Sequence, residues 1–219
     1  MELPEPVFDG VIDVSHNNGA IEWGAVAGAG ITLAFVKASE GTGFVDPRYA
    51  DNRAAAEAAG ILVVPYHFID AAPEAVSQAR HFIAAAGLAP GMPAMLDWET
   101  AADVSDLVAL GAAVAETTGR DPIGYYGWTR LRAPAPVLSR WPLFLPEYPQ
   151  GNTPGDYASL VRRAPRLPPG RDLARPYDFH QYTPAGQVSG IAGPVDRSVW
   201  VGTRVALRRW HQTGSRPAV

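Results

Sequence analysis

Short apolar runs rich in β-branched residues alternate with alanine-rich segments closed by glycine, and this alternation constrains the fold more than any other feature of the chain. Runs of strand character cover residues 10–15, 31–37, 61–68, 92–97 and 121–126, with a weaker one at 141–146. Between them lie helical segments, each with recognisable punctuation. One covers residues 21–30; another is capped by Asp46, has Pro47 at its first position and ends before Gly60. A third opens at Pro73 and closes at Gly87, and a fourth spans 105–118 with Gly119 behind it. From 151 to 176 the pattern gives way to Pro, Gly and Arg, which predicts a long surface loop with one helical turn near 157–163. Strand character returns at 177–182 and 195–201, and residues 212–219 look frayed.

Strands alternating with crossover helices predict a parallel sheet. The expected fold is α/β: an irregular, single-domain (β/α) TIM-like barrel, which suits a chain of 219 residues. The expected organisation is an extension at 1–9, the barrel at 10–210 and a flexible tail at 211–219. An open doubly wound sheet is the competitor, but no G-x-G-x-x-G follows the first strand.

Several chemistries are disfavoured. The net charge of −4 argues against a nucleic-acid partner. There is no cysteine, hence no thiolate metal site or cysteine nucleophile. The sequence has no G-x-S-x-G elbow, no H-E-x-x-H spacing and no P-loop, so no metal and no cofactor is expected. Residues 1–6 have neither the basic nor the apolar region of a signal peptide. No run approaches the ~18 apolar residues of a membrane span, so membrane insertion is not expected.

Attention falls on Asp97-Trp98-Glu99, where an apolar strand ends in two acids separated by an aromatic residue. On a strand the two carboxylates share one face, with Cα atoms ~7 Å apart and carboxyls roughly 5–9 Å apart. That range lets two acids flank a glycosidic bond. In a β/α barrel reacting groups sit at the C-terminal ends of strands. Here those ends carry Asp13, Lys37, Glu40, Tyr66, His67, Asp97, Glu99, Tyr125, Tyr148, Gln181, Tyr182 and Asp196. Acids and tyrosines so placed suit a neutral sugar polymer.

In order, Asp13-Val14-Ser15-His16-Asn17-Asn18-Gly19, Phe35-Val36-Lys37-Ala38-Ser39-Glu40-Gly41-Thr42, Tyr66-His67-Phe68, Leu96-Asp97-Trp98-Glu99, Gln181-Tyr182-Thr183 and Val195-Asp196 resemble the family 25 glycoside hydrolases, the Chalaropsis-type lysozymes. The resemblance runs from about residue 10 to residue 201. It implies an irregular β/α barrel that cleaves the β-1,4 bond between N-acetylmuramic acid and N-acetylglucosamine in peptidoglycan. Carried over, Glu99 becomes the general acid. Asp97 either orients the substrate's 2-acetamido group or helps activate water, with a substrate-assisted route preferred. Asp13 and Asp196 hold water or raise the pKa of Glu99 by repulsion. Tyr66, Tyr125, Tyr148, Gln181, Tyr182 and His67 are the expected substrate contacts.

Two departures stand out: His180 replaces the family's usual tryptophan before Gln-Tyr, and residues 144–148 read Phe-Leu-Pro-Glu-Tyr where the family tends to have Trp-x-Ala-x-Tyr. Both are expected to alter the aromatic lining of the cleft. They keep open a catalytically silent wall-binding protein on the same barrel. A chitinase-like hydrolase is a third reading, against which the D-x-x-D-x-D-x-E pattern is missing. The expected partner is the peptidoglycan glycan strand and the expected state a monomer. The expected site of action is the bacterial wall, reached as a phage lysin, as a virion or secretion-device component, or as a secreted mature form.

Overall fold

The computed structural model describes residues 6–71, 74–127, 140–161 and 177–215. The first half of the chain runs β1 (Val7–Val14), a 3-10 turn (His16–Asn18), α1 (Trp23–Gly28), β2 (Leu33–Glu40), β3 (Phe44–Val45), α2 (Tyr49–Ala58), β4 (Leu62–Phe68) and α3 (Ala75–Ala86). The second half runs β5 (Met95–Trp98), α4 (Val104–Thr118), β6 (Ile123–Tyr126), β7 (Leu143–Pro146), α5 (Tyr157–Leu160), β8 (Phe179–Gly186), β9 (Val195–Val201) and α6 (Arg204–Thr213). Among the described residues the strands form one sheet in the order β1-β9-β8-β7-β6-β5-β4-β2-β3, and a β1–β2 pairing closes it into a barrel that leaves β3 outside. Neighbours are parallel around the barrel except at β9, which runs antiparallel to both β1 and β8. The expected irregular single-domain β/α barrel is what the chain forms.

Strand alternation divides the core into two layers. Inward positions Val11, Leu33, Phe35, Val64, Met95, Ile123, Phe144, Phe179 and Trp200 fill the barrel. Phe35 lies 4.8 Å from Phe144 and 5.2 Å from Phe179 between ring centroids, so the interior is a packed aromatic stack. The intervening residues, among them Ile12, Val36, Leu96 and Trp98, face outward onto Phe82 of α3 and onto Leu107 and Val114 of α4. Helices α3 and α4 end where the sequence predicts, at Gly87 and Gly119, both in the left-handed conformation.

Several boundaries differ from the sequence reading. Strand β1 begins at Val7, opposite Val201, and the Gly202 amide donates to the Pro6 carbonyl at 2.7 Å. The helix expected from Asp46-Pro47 starts at Tyr49, because the Asp46 carboxylate is drawn instead to the amides of His16 and Arg48. Pro73 and residues 162–176 lie outside the described residues, and α5 is confined to Tyr157–Leu160.

The largest difference is at the C-terminus. The residues read as the start of a tail continue α6, which closes the N-terminal end of the barrel. Leu207 and Trp210, three positions apart on one face, enter the interior cluster, and the Trp210 ring lies 5.4 Å from both Phe179 and Trp200. The Arg120 guanidinium donates to the Trp210 and His211 carbonyls at 3.0 and 2.8 Å, satisfying the last turn of the helix. Replacing Trp210 with Ala is expected to cost about 3–5 kcal/mol of folding free energy in urea titrations. A loss under ~1 kcal/mol would show that α6 is not part of the core.

Candidate active site

The parallel strands deliver their C-terminal ends to one mouth of the barrel, and the inward alternation of each strand decides which side chain arrives there. On β1 the alternation that buries Val11 brings Asp13 to the mouth, and on β5 the one that buries Met95 brings Asp97. On β9, Asp196 is the direct cross-strand partner of Asp13. Asp97 lies in register between Phe68 of β4 and Tyr125 of β6. Strand β5 ends at Trp98, so Glu99 stands one residue beyond it. The turn there is pinned by the Trp98 indole donating to the Ala102 carbonyl at 2.9 Å and the Thr100 hydroxyl donating to the Ile69 carbonyl at 2.8 Å.

The result is two pairs of touching carboxyl groups. Asp97 and Glu99 share a hydrogen bond, and so do Asp13 and Asp196. The sequence reading put Asp97 and Glu99 roughly 5–9 Å apart by treating both as strand residues. The strand ends at Trp98, between them, so Glu99 leaves the strand geometry on which that range was based.

Two neighbouring carboxylates cannot both ionise cheaply, which favours a proton shared within each pair. Burial, then the charge of Glu99, holds Asp97 well above the ordinary carboxylate range, with Lys37 pulling the other way. Glu99 is raised chiefly by burial of its carboxyl, while its bond to Asp97 lowers it. Repulsion is shared by the coupled pair, and burial is the main cause raising each of its members. Burial and the charge of Asp196 raise Asp13 strongly, and Asp196 is pushed up to about 6, chiefly by burial.

Around the acids stand three of the expected tyrosines. Tyr66 and Tyr125 pack on the interior cluster, and burial raises both phenols, followed by Asp13 for Tyr66 and by Tyr148 for Tyr125. Tyr148 is exposed at the rim, and its hydroxyl donates to Gln181 Oε1 at 2.6 Å. Gln181 is buried and also accepts from Tyr125 at 2.9 Å, while its Nε2 donates to Asp13 Oδ2 at 2.7 Å.

Two expected contacts are not brought to the mouth. His67 follows Tyr66 on β4 and so faces the other way. It is fully buried, paired through Nδ1 with the Ser39 hydroxyl at 2.9 Å and stacked on Phe82, and burial lowers it to about 4. Tyr182 follows Gln181 and points outward as well, its hydroxyl donating to Asp9 Oδ1 at 2.9 Å. Strand period explains both: adjacent residues cannot share a face. His180 is likewise outward, between Tyr157 and Tyr177, so its replacement of an aromatic residue changes packing outside the barrel and leaves the lining untouched.

Two neighbours had no stated role in the sequence reading. Lys37 Nζ pairs with Glu40 at 2.7 Å, lies 4.9 Å over the Phe68 ring and acts on Asp97. Its inward position on β2, two residues after Phe35, was the available signal. Gly127 packs flat on Glu99: a Cβ there would meet Glu99 Cα and Cγ at 3.4 Å. Among the described residues no group of three or more His, Asp or Glu is arranged to hold a metal ion.

Residues 12–191 match the model of the glycosyl hydrolases family 25. The YegX protein of Escherichia coli (strain K12) is 32% identical over 208 residues, covering 88% of this chain and 69% of its own length. Lysozyme M1 of Streptomyces globisporus is 29% identical over 226 residues, with 90% and 69% covered. The crystal structure of the bacterial lysozyme from Streptomyces coelicolor superposes with a TM-score of 0.76 at 27% identity, covering 93% of this chain and 97% of that one.

The retained protons carry a stability cost at neutral pH. Acids raised in the folded state bind protons more tightly there than in the unfolded chain, so they stabilise the fold at low pH and lose that contribution as pH rises through the folded value. For Asp196 the window runs from 3.8 to about 6, and Asp13 and Asp97, also raised, extend it upward. Urea unfolding across this range is expected to show stability falling with rising pH. Asp97→Asn is expected to be about 0.5–2 kcal/mol more stable than wild type at neutral pH. A less stable variant would mean that Asp97 is held as a compensated anion.

Proposed function

The chain belongs to family 25 of the glycosyl hydrolases and is a glycoside hydrolase; from that premise we propose that it is a lysozyme, an N-acetylmuramidase that cuts the β-1,4 bond between N-acetylmuramic acid and N-acetylglucosamine. One observation carries the mechanistic part: the carboxyls of Asp97 and Glu99 touch. An enzyme nucleophile needs about 5–5.5 Å between the two acids, and a water between them needs about 6.5–9.5 Å. A pair at hydrogen-bonding range is closer than either spacing, which supports a nucleophile supplied by the substrate. The acetamido oxygen of the muramic acid residue attacks its own C1 as the C1–O bond to the leaving sugar breaks.

Asp97 and Glu99 divide the work. In the free protein the shared proton satisfies the buried Asp97. When the acetamido N–H donates to Asp97, that carboxylate is satisfied without the proton, which is then held by Glu99. Glu99 passes it to the leaving glycosidic oxygen. Water next adds to C1 of the cyclic oxazolinium ion and returns a proton to Glu99, so the anomeric configuration is retained. Asp13 and Asp196 keep net negative charge facing the cationic intermediate. The rings of Tyr66, Tyr125 and Tyr148 line the sugar subsites, with Tyr148 the most accessible of the three. The protein acts at the bacterial wall as a monomer on glycan strands. The catalytically silent alternative drew on two departures: His180, which faces away from the mouth, and residues 144–148, where Phe144 fills the barrel interior and Tyr148 stands at the rim.

Digestion of purified peptidoglycan by wild type is expected to release muropeptides with reducing N-acetylmuramic acid ends. Glu99→Gln should lower kcat by about 10²–10⁴-fold. Reducing N-acetylglucosamine ends would redirect the assignment to a glucosaminidase. Inversion at the anomeric carbon, followed by proton NMR, would exclude the acetamido route.

A further inference from the structure

We propose that Gln181, expected to touch substrate, is instead a positioning residue, a clamp whose amide is oriented by the phenols of Tyr125 and Tyr148 so that it presents N–H to ionised Asp13. This rests on the muramidase assignment and adds the device that fixes the state of the Asp13–Asp196 pair.

A glutamine amide is pseudo-symmetric and can flip, presenting oxygen where nitrogen was. At Gln181 the three neighbours select one orientation as long as Asp13 is ionised. Oε1 accepts hydrogen bonds from the Tyr125 hydroxyl at 2.9 Å and the Tyr148 hydroxyl at 2.6 Å, which fills both of its lone-pair positions. Flipping would turn both hydroxyls from donors into acceptors and would set the amide oxygen against the Asp13 carboxyl, a contact that only protonated Asp13 could satisfy. The oriented amide donates to Asp13 Oδ2 at 2.7 Å, within the range of a charge-assisted bond. The side chain is almost wholly buried, so no water substitutes for either contact.

That donor marks Oδ2 of Asp13 as an acceptor. A proton on this pair is therefore kept off Oδ2 of Asp13, and the donated bond favours one negative charge on the pair. Two groups facing Asp13 push against this state, Asp196 from β9 and Asp97 from β5; the phenols of Tyr66 and Tyr125 also face it but are raised and stay neutral, so they do not. Glu99 adds its charge to Asp196, and Lys37 is spent on Asp97 and Glu40. Against these, the hydrogen bond from the amide of Gln181 lowers Asp13. Gln181 has no capacity left on its oxygen for a sugar hydroxyl, which separates a clamp from a substrate contact.

Three variants and one spectrum test this. In Gln181→Glu the new carboxyl accepts from both tyrosines but donates to Asp13 only when protonated. Its kcat at neutral pH should drop about 10–100-fold, recover toward acid, and leave KM nearly unchanged. Gln181→Leu should lose kcat by a similar factor at every pH, and Tyr125→Phe with Tyr148→Phe should lose less. In ¹⁵N-labelled wild type the Gln181 side-chain amide protons should be resolved, slow to exchange and shifted by the titration of Asp13. A raised KM with wild-type kcat in Gln181→Leu, a wild-type pH profile in Gln181→Glu, or an amide signal indifferent to pH would each overturn the clamp. Absence of muropeptides from wild type would instead overturn the muramidase assignment, and the amide spectrum would still decide the clamp.

Discussion

Two touching pairs of carboxyl groups in one partly buried mouth are the arrangement on which the rest of the molecule depends. Directly opposed like charges on adjacent strands are unfavourable, and burial removes the water that would screen them. Asp13 and Asp196 are such a pair, placed opposite each other because β9 returns antiparallel between β1 and β8. A fold that tolerates this cluster has to hold the strands from elsewhere. It also has to keep protons on groups that would ordinarily have lost them, and that is what an acid catalyst at neutral pH requires.

The bracing comes from residues one position away. Each strand that sends an acid or amide inward sends its neighbour outward into a structural contact. Next to Asp196, Arg197 donates to Asp9 Oδ1 at 2.8 Å. Next to Gln181, Tyr182 donates to the same carboxylate, which also accepts the Tyr157 amide at 3.0 Å. Asp9 thereby ties β1, β8, β9 and α5 together on the outside of the barrel, behind the strands that carry the crowded acids. Below the mouth the interior is closed by aromatic packing from Phe35 down to Trp210 of α6. The rigid floor and the outer brace leave the mouth as the place where strain is held.

The repeating part of the fold was legible in the sequence because it is local. Glycine-closed helices and β-branched runs carry their own signals, and Gly87 and Gly119 end helices as predicted. The acids Asp13, Asp97, Glu99 and Asp196 were legible as ordered motifs at strand ends, and they converge. What could not be read depends on register and on distant partners. Whether Tyr66 or His67 faces the mouth is decided by a phase of one residue, and the apolar run at 61–68 has no alternation to reveal it. The direction of β9 is fixed by pairing with strands at both ends of the chain. The role of α6 is invisible until Trp210 is seen against Phe179 and Trp200, because residues 204–210 carry no local signal for what they pack on. The contact between Asp97 and Glu99 depends on where β5 stops, a boundary set by Trp98 and Thr100 reaching back into the fold.

The most direct test is a proton count at the mouth. Carbon-13 NMR of the Asp and Glu carboxyls in the ligand-free wild type, assigned by substitution, follows each of the four through a pH titration. Crowding predicts that Asp13 and Asp97 stay protonated well above the ordinary range of about 4, that Asp196 titrates near 6, and that the curves of each pair are coupled. Four independent transitions near 4 would contradict the account, because no proton would then be retained for Glu99 to deliver.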